Sequence, residues 1–224
     1  MNNLVCKVVI FFLLSVGGYT LKASEGTGQT ITSLIGLALS SLTYAENTFE
    51  PGLSPCEKAK QLVMEHISSI NDEEIHPAYR AAVLGDFSAV KDFIHRGLSS
   101  SDVNMLVWAS FGGHPEIVEY LLSCGSDPNA ETTTQFLPGH SALWALASGY
   151  WWTVTMAKEM TEGPLSEVDQ ANTGHIKCLE LLDKAGLDFD KTRPDGKNIL
   201  DAARDQGLSV LVSNIKELRS RDEY

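Results

Sequence analysis

The sequence predicts an all-α fold: an α-solenoid of about four helix-turn-helix repeats with helical caps and short β-turn fingers. Two observations lead there. Glycines recur in pairs twelve residues apart, at Gly85 and Gly97, Gly113 and Gly125, and Gly174 and Gly186. Each pair brackets apolar residues at helical spacing: Val90, Phe93 and Ile94 in the first, Ile117, Val118, Leu121 and Leu122 in the second, and Cys178, Leu179 and Leu182 in the third. A helix of this length cannot bury its stripe alone, so self-similarity at a fixed period points to a stacked array.

The elements follow in chain order. Residues 1–23 read as a signal peptide. Lys7 and the amino terminus supply positive charge, "VVIFFLLSVGGY" is a short apolar core, and Ala23 is a small residue for cleavage. That core is shorter than the ~20 residues a spanning helix needs; an uncleaved membrane anchor is the next reading. Residues 24–52 read as a flexible linker with a mild apolar run at 31–45, where Ala45 offers a second cleavage position. Within 53–75, Ser54 is a helix N-cap candidate, with Pro55 at the first position and Glu57 three residues on. The helix it opens carries Ala59, Leu62, Val63, His66 and Ile67 along one side, and is expected to cover the exposed end of the stack.

The repeats occupy 76–224. Their first helices read "HPAYRAA", "NMLVWAS", "SALWALA" and "NILDAAR", and the fourth runs past Gly207 into a final helix without a closing glycine. The finger after Gly97 is short, the finger "DPNAETTTQFLPGH" is long and polar, and "LDFDKTRPDGKN" has ordinary length. The third copy departs from the pattern. After "HSALWALASG" an insertion, 150–173, separates the two helices. Trp151, Trp152, Val154, Met156 and Met160 keep helical spacing, and "GPLSEVDQANTG" reads as a loop with one further turn. Either the insertion packs its tryptophans onto the body, or it presents them to a partner.

With these segments in view, the chain resembles the ankyrin repeat family, whose pattern joins a T-P-L-H-x-A-A helix, a G-H turn, a V-V-x-L-L-L helix and a closing G-A-D-x-N. "GGHPEIVEYLLSCGSDPNA" is the nearest copy, and the resemblance covers roughly Pro77 to Leu218. No copy carries the full T-P-L-H. The resemblance implies a protein-binding module, with histidines after the turn glycine (His114 and His175) serving the turn. It also implies recognition through the concave surface of fingers and first helices. Carried onto this chain, the candidate partner-binding residues are Tyr79, Arg80, Val107, Trp108 and Trp144, with Gln135 and Phe136 from the long finger and Trp151 and Trp152 from the insertion. Burial of Trp108 and Trp144 between helices is the competing reading.

Composition narrows the partner. The chain has 29 acidic and 17 basic residues, a net charge of −12. Nucleic acids and anionic membranes require clustered Lys and Arg, so neither is an expected partner; a membrane enters only through a retained N-terminal anchor. A basic protein partner fits the charge, and so does solubility alone. Beyond the leader, Cys56, Cys124 and Cys178 are an odd count, which excludes a complete disulfide framework. Free thiols are expected, with Cys178 in a packing position; a Cys56–Cys124 bridge stays open.

Chemistry finds no foothold. The six histidines make no H-x-x-x-H or H-E-x-x-H spacing, and no C-x-x-C occurs, so no metal is expected. There is no G-x-S-x-G and no phosphate-binding glycine loop. The sequence therefore predicts an exported protein, periplasmic or secreted, that binds a partner without catalysis or cofactor. Two alternatives stand beside this: an immunity-like or inhibitory protein that neutralises a basic partner, and an enzyme that uses the insertion as part of an unrecognised site.

Overall fold

Ten helices account for most of the residues that the computed structural model describes, which are 52–68, 75–132, 139–161, 163–192 and 196–221. They are α1 (Pro55–Ser68), α2 (Pro77–Leu84), α3 (Phe87–His95), α4 (Val103–Gly112), α5 (Pro115–Ser123), α6 (Ala142–Glu159), α7 (Glu167–Ala171), α8 (His175–Lys184), α9 (Ile199–Asp205) and α10 (Ser209–Arg221). All belong to one of two units of the chain, Ser54–Tyr224. The expected leader, the linker with its apolar run at 31–45, Gln135 and Phe136 lie outside the described residues.

The helices form two layers. The first helices α2, α4, α6 and α9 lie side by side in that order, and so do the second helices α3, α5, α8 and α10. Local sequence sets the boundaries. Ser54 and Glu57 form the capping box their spacing predicts: the Ser54 amide donates to Glu57 Oε2 at 2.7 Å, and the Glu57 amide to Ser54 Oγ at 3.3 Å. Asp86 Oδ1 accepts from the Ala89 amide at 2.9 Å to start α3, and Asp102 Oδ1 from the Asn104 amide at 2.8 Å to start α4.

All six paired glycines have positive φ, and the requirement is clearest where two turns meet. Gly174 adopts φ 81°, and a Cβ there would collide with the carbonyl oxygen of Gly113. At Gly113, φ 65°, a Cβ would lie 2.7 Å from His175 Nδ1 and 2.9 Å from the Thr173 carbonyl oxygen. Neighbouring repeats stack so closely at this level that only glycine fits.

Most of the second-helix stripes are core: Val90, Ile117, Val118, Leu121, Cys178, Leu179 and Leu182 are buried, whereas Phe93, Ile94 and Leu122 are half-buried. Helix α4 behaves differently, with every residue from Met105 to Gly112 buried. It is enclosed by α2 on one side, α6 on the other and α5 behind.

Two features depart from a plain array. Helix α6 does not stop at the level of its neighbours but runs on through Tyr150, Trp152 and Val154 to Glu159, and the chain returns through α7 before α8 begins. The N-terminal helix corrects an expectation. Rather than chiefly covering the free side of the first repeat, α1 packs most extensively on α6, less on α2, and touches α7. The reason is the apolar wall that the prolonged α6 raises. Cys56, Ala59, Leu62 and Ile67 on α1 are buried, as are Tyr150, Trp152, Val154 and Ala157 on α6.

Candidate protein-interaction surface

The starts of the first helices, together with the finger bases, carry a continuous polar relay. The Tyr79 hydroxyl on α2 donates to Asp102 Oδ2 at 3.0 Å, and Asn104 Nδ2 on α4 donates to the Tyr79 hydroxyl at 3.2 Å. Thr132 Oγ1, in the long finger, donates in turn to Asn104 Oδ1. Backbone pairing closes the base of that finger, from the Thr132 amide to the His140 carbonyl and from the Gly139 amide to the Thr132 carbonyl, each at 2.9 Å. Asn129 ties it to the next finger: its Nδ2 donates to the Gly186 carbonyl at 2.8 Å and its Oδ1 accepts from the Asp188 amide at 2.7 Å.

This edge is rigid, partly open and acidic. Tyr79, Arg80, Asp102 and Asn104 are half-buried, whereas Asp127, Glu131, Asp188 and Asp190 are exposed. Lys191 offsets part of the charge, bridging Glu131 at 2.8 Å and the Asn129 carbonyl at 2.9 Å. Arg219 reaches Asp190 at 2.7 Å. Such exposed pairs contribute little to stability, about 0–1 kcal/mol each; their consequence is a fixed pattern of charge along the finger row.

At the opposite end of the first helices, two histidines bind each turn to the preceding repeat. His114 Nε2 donates to the Val83 carbonyl at 2.8 Å, and His175 Nε2 donates to the Phe111 carbonyl at 2.9 Å. Burial is the main cause that lowers His114 to about 4 and His175 to about 3, and the Lys60 ammonium adds to it in both. Both rings are therefore neutral at physiological pH, with Nε2 committed to a carbonyl. Lys60 Nζ, on α1, donates to the Gly113 carbonyl at 3.2 Å, and burial lowers its own pKa. Burial likewise raises the Cys56 thiol to about 11 and the Cys178 thiol to about 12, so neither is a ready nucleophile. Cys56, Cys124 and Cys178 are all unbridged. Among the described residues no three His, Cys, Asp or Glu side chains converge as a metal site, and no helix is long and apolar enough to cross a membrane.

The predicted partner-binding residues divide. Tyr79 belongs to the relay, and Arg80 is half-buried beside it in sequence. Val107 is fully buried, Trp108 is 5% exposed and Trp144 9%, so the expectation that these three present themselves to a partner is corrected: they fill the core. They sit on inner helices flanked on both sides, where the face not turned to one neighbour is turned to another. Trp152 is 7% exposed and packed inward, while Trp151 is half-buried and meets its ring edge-on at 5.6 Å. Asp102, Asn104 and Thr132 were not anticipated. Asp102 carried a signal, an N-cap residue directly before an apolar run; the relay itself joins residues far apart in sequence.

Residues 104–133, from the second turn-bounded repeat into the long finger, match the family model of the ankyrin repeat. The chain carries an ankyrin repeat. Its matched ankyrin repeat holds α4, α5 and the first strut of the finger, including both Asn104 and Thr132 of the relay. The ankyrin family points to a protein-interaction module. No curated protein matches the chain.

Proposed function

We propose that this chain is an exported protein-binding module that recognises its partner with the acidic edge formed by the finger bases and the starts of α2 and α4. The observation that carries this reading is the relay Tyr79–Asp102–Asn104–Thr132, which fixes partly open polar groups of two repeats and a finger in one frame. A surface ordered before contact loses little entropy on binding, and a half-buried Tyr beside Arg is a composition favoured at interface centres. The buried, neutral state of His114 and His175 and the inert thiols favour recognition over catalysis. The acidic fingers favour a partner with a basic face, the form an inhibitory protein would take.

The test is quantitative capture from the native compartment with wild-type chain and with the Tyr79→Ala/Asn104→Ala double variant, each verified as folded. One or more partners retained by wild type and lost by the variant are expected. Identical captured sets would overturn the assignment of this edge. Export belongs to the same proposal and rests on the charge, apolar core and small residue of positions 1–23. N-terminal sequencing of protein from the native host is expected to begin at Ser24 or within a few residues of it; Met1 retained in a membrane fraction would replace cleavage with an anchor.

A further inference from the structure

Among the described residues the exposed large apolar side chains are Met160, at 36%, and Val168, at 68%, and both belong to the insertion. A lone exposed valine needs no explanation, but this one stands on a segment that is otherwise tightly anchored. Leu165 and Gln170 flank it and are buried. Gln170 Nε2 donates to the Leu165 carbonyl at 3.3 Å, and the buried Tyr150 hydroxyl donates to Gln170 Oε1 at 3.3 Å. Ser166 Oγ accepts from the Asp169 amide at 3.1 Å and donates to Asp169 Oδ2 at 2.7 Å, closing the first turn of α7. Helix α1 packs against the same turn. The excursion is thus built and buttressed, and Val168 is held out on it without any packing duty.

Charge specifies what would cover it. The described residues of the insertion carry Glu159, Glu167 and Asp169 against Lys158 alone, three negative charges and one positive, a net of −2. Glu167 and Asp169 directly flank Val168. An apolar contact bordered by carboxylates is complementary to an apolar side chain bordered by Lys or Arg. We infer that the insertion is a second docking surface, which receives a basic amphipathic segment of a partner protein with Val168 as its apolar anchor. Its helix α7 is tied to Tyr150, midway along α6, and it stands independently of the role given to the finger edge.

The probe is a short synthetic helical peptide with Leu on one face and Lys on the other, titrated against the full chain by fluorescence anisotropy. A Leu/Glu peptide of the same pattern is the control. Binding of the Lys peptide is expected, weakened at least roughly tenfold by Val168→Asp and by Glu167→Lys/Asp169→Lys, and unchanged by Tyr79→Ala/Asn104→Ala. Val168 is exposed, so its variant keeps the fold, which circular dichroism checks. Absence of binding, equal binding of the Leu/Glu peptide, or indifference to both insertion variants would overturn the inference. Sedimentation that reveals self-association abolished by Val168→Asp would also overturn it, assigning the surface to a second copy of the chain.

Discussion

Acid should unfold this protein through the two turn histidines. In the folded state His114 is lowered to about 4 and His175 to about 3, from an ordinary value of 6.5. Below pH 6.5 the unfolded chain takes up protons on these rings while the folded chain does not. Stability therefore rises with pH across this window, is fully present above 6.5, and is lost as pH falls toward the folded values. Each ring contributes a slope of about 1.4 kcal/mol per pH unit. His175 is fully buried, so between pH 6.5 and 4 its loss comes to about 3 kcal/mol; His114 keeps part of its ring in water, and about 2 kcal/mol is the fairer figure. Together they remove about 5 kcal/mol, comparable with the whole stability of a small domain, about 5–15 kcal/mol. The assay is urea denaturation at pH 7, 6, 5 and 4.5 (values spanning the roughly two-unit window below the free imidazole pKa) on wild type, His114→Gln and His175→Gln. Gln keeps a donor for the Val83 or Phe111 carbonyl but does not titrate. Each variant should start less stable at pH 7 and lose stability less steeply, by about 1.4 kcal/mol per pH unit. A wild-type profile flat from pH 7 to 4.5, or variants that keep its slope, would refute the reasoning.

Three further outcomes follow from packing. Leu121→Ala removes a fully buried side chain between stacked helices and should cost ~2–5 kcal/mol in denaturant unfolding. Trp152→Ala should cost ~3–5 kcal/mol, whereas the half-buried Trp151 should cost about 1 kcal/mol on the same substitution; equal losses would mean that α6 is turned about its axis. Gly174→Ala drives a Cβ into the Gly113 carbonyl at φ 81°, which no side-chain adjustment relieves, and should lower stability by at least ~2 kcal/mol. A neutral result in thermal unfolding would show that the two turns are not in contact.

The glycine periodicity reported helix limits because each turn needs positive φ, a local property that one residue type expresses. The same holds for the Ser54–Glu57 box. Burial was legible where a helix has a polar side and an apolar side, as in Pro115–Ser123, but not in Val103–Gly112. There Val107 and Trp108 looked like face residues although both are enclosed. The run from Met105 to Gly112 has no polar side at all, and a helix apolar all round is a buried helix; that signal was present and should have outweighed residue type. The placement of α1 was beyond sequence reasoning. Its amphipathic stripe announces that it packs, and nothing in the stripe names Gly113 or α6, which lie many residues downstream. The relay was hidden for the same reason, since Tyr79, Asn104 and Thr132 meet only once two repeats have stacked.

The seat of α1 on α6 alters how the array must assemble. In an ordinary solenoid every repeat touches only its neighbours, so the stack can nucleate at either end and fray from either end. Here the segment that precedes the first repeat is fastened to the third, and Lys60 bonds the Gly113 turn of the second. The early repeats are thus enclosed in a loop of chain whose two ends are joined. That loop closes only after α6 exists, which slows folding through long-range contact. Once closed, it denies the first repeat an independent unravelling, so the N-terminal half should open as one cooperative block rather than peel away turn by turn.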